Sequence, residues 1–213
     1  MTTETMTIHR ALAELKVLEN RITKTIYEGK FCGAVKQSMK KLEGVSLDDY
    51  KTASQSSYDT IVELIARHDA IKKAISISNA KTIVVVAGKE YTVAEAIYMN
   101  QHGIDFKIQL YNQMSDQYSA SIRTIESTNA MLSDRADRYV TNGIGASEKA
   151  NMDAGTIRDM RDDYINRETM VLVDGISIKE KMEKLAAEID KFKAEVDAVL
   201  SASNATTEIT IEY

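Results

Sequence analysis

Apolar residues recur at helical spacing in several long stretches of the chain. Ile8, Leu12, Leu15, Leu18, Ile22 and Ile26 step by three and four, which predicts an amphipathic helix with Thr7 as its N-cap and Gly29 as its stop. A second stripe of Ile61, Leu64, Ile65, His68, Ile71 and Ile75 predicts a helix that begins at Ser46, with Asp48 and Asp49 in its first turn, and runs to about Ser78. The longest periodic signal is Ile97, Gln101, Ile104, Ile108, Tyr111, Ser115, Tyr118, Ile122, Ile125, Asn129, Leu132, Ala136 and Tyr139. Its alternating steps of four and three are a heptad rhythm. Unbroken, such a helix is on the order of 60 Å long. A short charged helix is predicted from about Ile157 to Arg167. The last helix carries Ile178, Met182, Leu185, Ile189, Phe192, Val196 and Val199, again in heptad steps.

Between the helices the period changes. Lys81 to Val86 is rich in β-branched residues, Ala87-Gly88 marks a turn, and Lys89 to Tyr91 returns, so a hairpin is predicted. It enters a capping box at Thr92-Val93-Ala94-Glu95. The same device is read at Met170 to Val173, Asp174-Gly175 and Ile176, followed by Ser177 to Glu180. Ser-Asn-Ala occurs at 78–80 and at 203–205, each time before a β-branched run, and is taken as a helix-to-strand turn. The run from Thr206 to Tyr213 alternates as a terminal strand. The fold class is therefore α+β and mostly α: long antiparallel heptad-patterned helices with a small antiparallel sheet built from two hairpins and a C-terminal strand. Residues 1–213 read as a single domain, with 30–45 a basic connection and 141–156, which holds Gly143, Gly145 and Gly155, a mobile loop.

Composition sharpens this picture. Among 213 residues there is no proline, where average usage predicts roughly ten. Proline breaks helix interiors, so its absence fits long helices with short connections. Aromatics are 6% with no tryptophan against 44% hydrophobic residues, which makes the core aliphatic. Lys and Arg total 27 against 32 Asp and Glu, a formal charge of -5. That balance argues against nucleic acid as a partner, because such affinity comes from phosphate neutralisation. Cys32 is the sole cysteine and so makes neither an intramolecular disulfide nor a multi-cysteine metal site. No stretch approaches the roughly 20 apolar residues of a membrane span, and Met1 to Arg10 lacks a signal-peptide run. A cytoplasmic protein with no membrane partner is expected.

Candidate chemistry is sparse. His9, His68 and His102 form no His-x-x-x-His or Glu-x-x-His pair, so neither a metal nor another cofactor is expected. Asp159, Asp162 and Asp163 are interleaved with Arg158, Arg161 and Arg167 and read as a solvated face. Cys32, Ser56-Ser57 and Ser201 to Ser203 have no partner base in the sequence, and Asn142-Gly143-Ile144-Gly145 lacks a phosphate-loop context. The chain is expected not to be an enzyme. Charge is nevertheless uneven: Lys16 to Lys41 holds seven basic residues against two acidic ones. Lysines suit phosphate and aromatic faces suit a base, and Lys36, Lys40, Tyr58 and Arg67 are the candidate ligand-binding residues for an anionic small molecule of nucleotide type.

Several junctions resemble a known family. Ile8-His9-Arg10-Ala11-Leu12-Ala13-Glu14-Leu15, Ser56-Ser57-Tyr58-Asp59, Ser78-Asn79-Ala80, Tyr91 to Ile97 and Ser203-Asn204-Ala205-Thr206-Thr207 are similar to segments of the septicolysin-like small proteins found in phages and prophages of Gram-positive bacteria. The resemblance implies an α+β fold, self-association and a phage origin, hence the cytoplasm of a bacterial host. It implies no catalytic mechanism. Heptad seams exceed what one chain buries, so the protein is expected to be a homo-oligomer. The function expected is that of a non-catalytic phage binding protein that sequesters a nucleotide-type immune signal, an anti-defence sponge. The alternative is a virion or assembly component.

Overall fold

The computed structural model describes residues 2–145 and 152–213. It divides into two compact units, one made of the chain up to Gly103 together with Lys191–Tyr213 and one of Ile104–Asp190. The fold is α+β and mostly α, as the periodicity predicts.

In the first unit, strand β1 (Thr3–Thr7) leads directly into helix α1 (Ile8–Glu28). The Thr7 side chain accepts from the Arg10 amide and Gly29 closes the far end. A loop runs through 30–40 to a small hairpin, β2 (Lys41–Leu42) and β3 (Val45–Ser46), turned by Glu43 and Gly44 at positive φ of 52° and 89°. Ser46 then caps α2 (Leu47–Lys81) by accepting from the Asp49 amide. The hairpin of β4 (Ile83–Val86) and β5 (Lys89–Thr92) follows, with Val86 opposite Lys89. Its two turn residues, Ala87 and Gly88, sit at φ 54° and 79°, the left-handed pair that a two-residue hairpin turn requires.

The strands form three separate two-stranded sheets rather than one. The C-terminal strand β6 (Glu208–Glu212) pairs antiparallel with β1, with Met6 opposite Ile209. The core of this unit lies beneath that pair. Met6, Ile8, Ala11, Leu15 and Leu18 meet Leu64, Ile71 and Ile75 of α2 and Ile209 and Ile211 of β6. Ser78-Asn79-Ala80 is not a turn but the last turn of α2, because the helix persists until the Thr82 amide bonds the Ser78 carbonyl at 2.8 Å.

Thr92 and Glu95 complete the expected capping box at the start of α3 (Val93–Tyr98). The Glu95 amide donates to Thr92 Oγ1 at 3.1 Å and the Thr92 amide donates to Glu95 Oε2 at 2.7 Å. The Thr92 amide and, at 3.0 Å, its hydroxyl both donate to the ionised Glu95 carboxylate and hold its pKa below the ordinary value. A folded-state pKa below the unfolded one gives stability above the unfolded value that is lost as pH falls through the folded one. We expect Thr92→Ala to lower stability by about 1 kcal/mol at neutral pH, and the gap to narrow below the carboxylate range. Urea titrations at pH 7 and pH 3.5 measure both.

After α3 comes one π-helical turn, Met99–Gly103, and then α4 (Ile104–Ala130) and α5 (Leu132–Ile144). The long heptad run is therefore helical almost throughout, but interrupted at Met131. The mobile loop expected over 141–156 falls partly on 146–151, outside the described residues; Thr141 to Ile144 belong to α5 and Ala154 to Thr156 to the next helix. In the second unit α6 (Ala154–Glu168) packs on α5. Arg161 Nε donates to Asp137 Oδ1 at 2.9 Å, and Tyr139 stacks on Tyr164 with ring centroids 4.7 Å apart.

The second hairpin does not form: among the described residues Met170–Asp174 pairs with no strand, and the chain bends at Gly175 and Ile176. The reason lies at Asp174. Its carboxylate accepts from the amides of Ile176 and Ile178 at 3.0 and 2.8 Å, turning the chain into α7 (Ile178–Thr206) rather than back along itself. Ser177, expected as the cap, is left at φ 56°. Among the described residues no helix is long and apolar enough to cross a membrane.

Candidate functional site

One face of the first turns of α2 lines a cleft rather than the core. Leu47, Tyr50, Lys51, Ser54, Gln55 and Tyr58 recur at spacings of three and four, so they share a side of the helix. The loop after α1 folds back over that side and brings Phe31, Cys32, Gly33 and Val35, with Leu42 of β2, into a cleft of about 530 Å³. Two hydrogen bonds pin the loop down. The Tyr50 hydroxyl donates to the Cys32 carbonyl at 2.9 Å and the Ser54 hydroxyl donates to the Lys30 carbonyl at 2.6 Å. Lys30 also pairs with Glu43, and the hydrogen bond and charge of that carboxylate push the ammonium above the usual lysine range. The approach is close at Gly33, where a methyl group would stand 2.5 Å from Leu42 Cδ2 and 3.3 Å from Tyr50 Oη.

The chemistry of the lining is specific. Three aromatic rings and three aliphatic side chains supply apolar faces, Ser54 and Gln55 supply donors and acceptors, and Lys51 is the one charged side chain. Its nearest carboxylate, Asp48 at 3.3 Å, forms an exposed pair on the same helix, and such pairs are weak in water. The ammonium is therefore available to an anion. A neighbouring cleft of about 420 Å³ has the opposite sign: Glu28, Glu43 and Asp49 line it beside Lys30.

The sequence-derived site is divided by the structure. Tyr58 lines the first cleft, with 58% of its surface exposed. Lys36 and Lys40 lie in the exposed loop and its turn, where their carbonyls accept from the amides of Met39 and Leu47, but they do not line the cleft. Arg67 stands nine residues along α2 from Tyr58, about 13 Å by helical rise. Its guanidinium is occupied: Nε donates to Glu14 Oε1 at 2.5 Å, Nη2 donates to Glu4 Oε2 at 2.8 Å, and Nη1 bonds the Tyr213 hydroxyl. It also lies 4.8 Å from the centroid of the Tyr213 ring. These carboxylates hold its pKa above the ordinary arginine value.

Lys51 and Gln55 are absent from the sequence-derived site, although their signal is present. Tyr50, Ser54 and Tyr58 are spaced by four, with Lys51 and Gln55 one residue on. His68 lies beside Asp69 and Glu19 at 2.9 and 3.5 Å, outside the cleft. Among the described residues no cluster of three His, Cys, Asp or Glu is arranged to hold a metal. Comparison with known proteins brings no further assignment: no family model, curated protein or solved structure matches the chain.

Proposed function

We propose that the chain is a non-catalytic, self-associating binding protein that takes an anionic, ring-bearing small molecule of nucleotide type into the cleft between α2 and the loop of residues 31–42. The carrying observation is the lining itself: aromatic rings, an available ammonium at Lys51 and no carboxylate. A base stacks on Phe31 or Tyr58, and a phosphate meets Lys51. With the resemblance to septicolysin-like phage proteins, this supports sequestration of a nucleotide signal in the bacterial cytoplasm. The half-buried heptad face of α4 supports self-association, since Ile104 alone of that helix is fully buried. That face also favours the second reading, a virion or assembly component.

Thermal melts with a panel of cyclic nucleotides and ADP-ribose derivatives test the proposal, because a ligand of the folded state raises apparent stability with concentration. A concentration-dependent rise is expected with at least one. For that ligand, Tyr58→Ala and Lys51→Ala are each expected to weaken binding about tenfold, the scale of one lost stacking or ionic contact. Lys36→Ala is expected to change it less than about twofold, as for a rim charge. No shift with any nucleotide, together with the protein in purified virions, establishes the assembly reading instead.

A further inference from the structure

The segment Met170–Ile176 has the properties of a strand without a sheet. It is held at both ends. Asn129 bonds Met170 twice, its amide nitrogen donating to the Met170 carbonyl at 2.9 Å and its side-chain oxygen accepting from the Met170 amide at 3.0 Å. Asp174 fixes the other end through the amides of Ile176 and Ile178. Between these clamps, among the described residues, no hydrogen bond reaches the backbone of Val171, Leu172 or Val173. Exposure alternates as in a half-covered strand: Met170 40%, Val171 69%, Leu172 38% and Val173 93%. The segment shares a shallow cleft with Ala120, Thr124 and Ile125 of α4. Exposed strand edges are ordinarily guarded by charge, proline or a bulge, and Met170 to Val173 has none of these.

We infer that this edge pairs with the same segment of a second copy, antiparallel across a two-fold axis. Two observations select that occupant. Val171-Leu172-Val173 is symmetric about its centre, so a two-fold ladder places Leu172 opposite Leu172 and each Val171 opposite a Val173. β-branched residues are thereby matched across the strands, as a self-complementary interface requires. The second observation is area. The chain exposes 14698 Å², whereas two wholly separate compact bodies of the units' sizes, about 14 and 10 kDa, would together expose about 11,800 Å². The excess, on the order of 3,000 Å² per chain, is larger than the roughly 1,000–2,500 Å² per partner that obligate interfaces remove, so it accommodates one. The inference locates the self-association that the proposed function contains, and it rests on that part of the reading alone.

Disulfide trapping in the full chain, with Cys32→Ser as background, tests the register. Facing strand residues have Cα atoms about 4.5–5.5 Å apart, within disulfide reach. Leu172→Cys is therefore expected to give a covalent dimer under mild oxidation. Val173→Cys is expected not to, because its counterpart lies diagonally, about 7–8 Å away. Val173→Glu is expected to raise the dimer dissociation constant about tenfold or more in sedimentation velocity, with the helical circular dichroism unchanged. A wild-type chain that is monomeric at tens of micromolar overturns both this interface and the self-association reading. An oligomer that ignores Val173→Glu and does not cross-link at 172 overturns only the interface. Nucleotide binding at the cleft, followed in the same samples, reports on the ligand reading separately.

Discussion

Replacing Arg67 with methionine is expected to lower the stability of the first unit by about 2–3 kcal/mol, the larger of the two polar effects the structure supports. The side chain is 17% exposed and its carboxylate partners Glu14 and Glu4 are 22% and 30% exposed. Methionine keeps the apolar stem but leaves Glu14 without its cation and Glu4 with only the exposed Arg10, 3.1 Å away. That cost is greater than the loss of a surface pair, because partly desolvated charges lose their compensation. The triple variant Glu4→Gln, Glu14→Gln, Arg67→Met is expected to regain at least about half of the loss, since neutral amides tolerate the same setting. Urea unfolding followed by circular dichroism measures both. A loss below about 0.5 kcal/mol would place the cluster among ordinary solvated pairs. The raised guanidinium pKa adds nothing to pH dependence in the working range: its stability is full below the unfolded value and is lost only as pH rises through the folded one, far into alkali.

Arg67 also illustrates why the candidate site was only partly legible in the sequence. A basic residue on an amphipathic helix looks the same whether it faces a ligand or its own fold. Here its partners lie 53, 63 and 146 residues away, beyond any local pattern. Lys36 and Lys40 stand out by a local charge excess, yet a charge excess does not say which side chains face inward. The cleft instead follows helix periodicity at Tyr50, Ser54 and Tyr58. That stripe is short and half polar, so the aliphatic stripe beginning at Ile61 overshadows it.

Local chemistry made other elements readable. Thr7, Ser46 and Thr92 cap helices where hydroxyls before an apolar run predict them, and Ala87-Gly88 turns the hairpin as its flanking β-branched residues require. Strand β1 was hidden because Glu4 is drawn to Arg67, so an apolar and polar alternation never appears. The supposed second hairpin failed for a chemical reason: an Asp-Gly pair also makes an Asx turn, and Asp174 uses its carboxylate to start a helix. The Ser-Asn-Ala segments misled because a last helical turn tolerates the same residues as a loop.

The largest effect of all is expected at Ile71, which α2 buries completely among Leu15, Leu18, Leu64 and Ile75. Ile71→Ala removes three carbons from a site walled by helix α1 on one side and the terminal strands beyond it. A loss of about 3–4 kcal/mol is expected, with Ile71→Val near 1 kcal/mol. For a unit of this size the first corresponds to a melting temperature lower by about 10 °C. The same helix carries the cleft in its first three turns, from Leu47 to Tyr58, and its core contacts from Ile61 onward. Stability and ligand affinity are therefore expected to separate. Below its lowered melting point, Ile71→Ala should bind a nucleotide found in the thermal screen with wild-type affinity, whereas Tyr58→Ala should melt like wild type and bind weakly. Calorimetric titration at 15 °C, paired with melts of both variants, reads the two quantities independently. An Ile71→Ala protein that melts normally would mean that the helix is not anchored where its apolar stripe predicts, and one that melts early and also binds weakly at 15 °C would mean that cleft and core unfold as one.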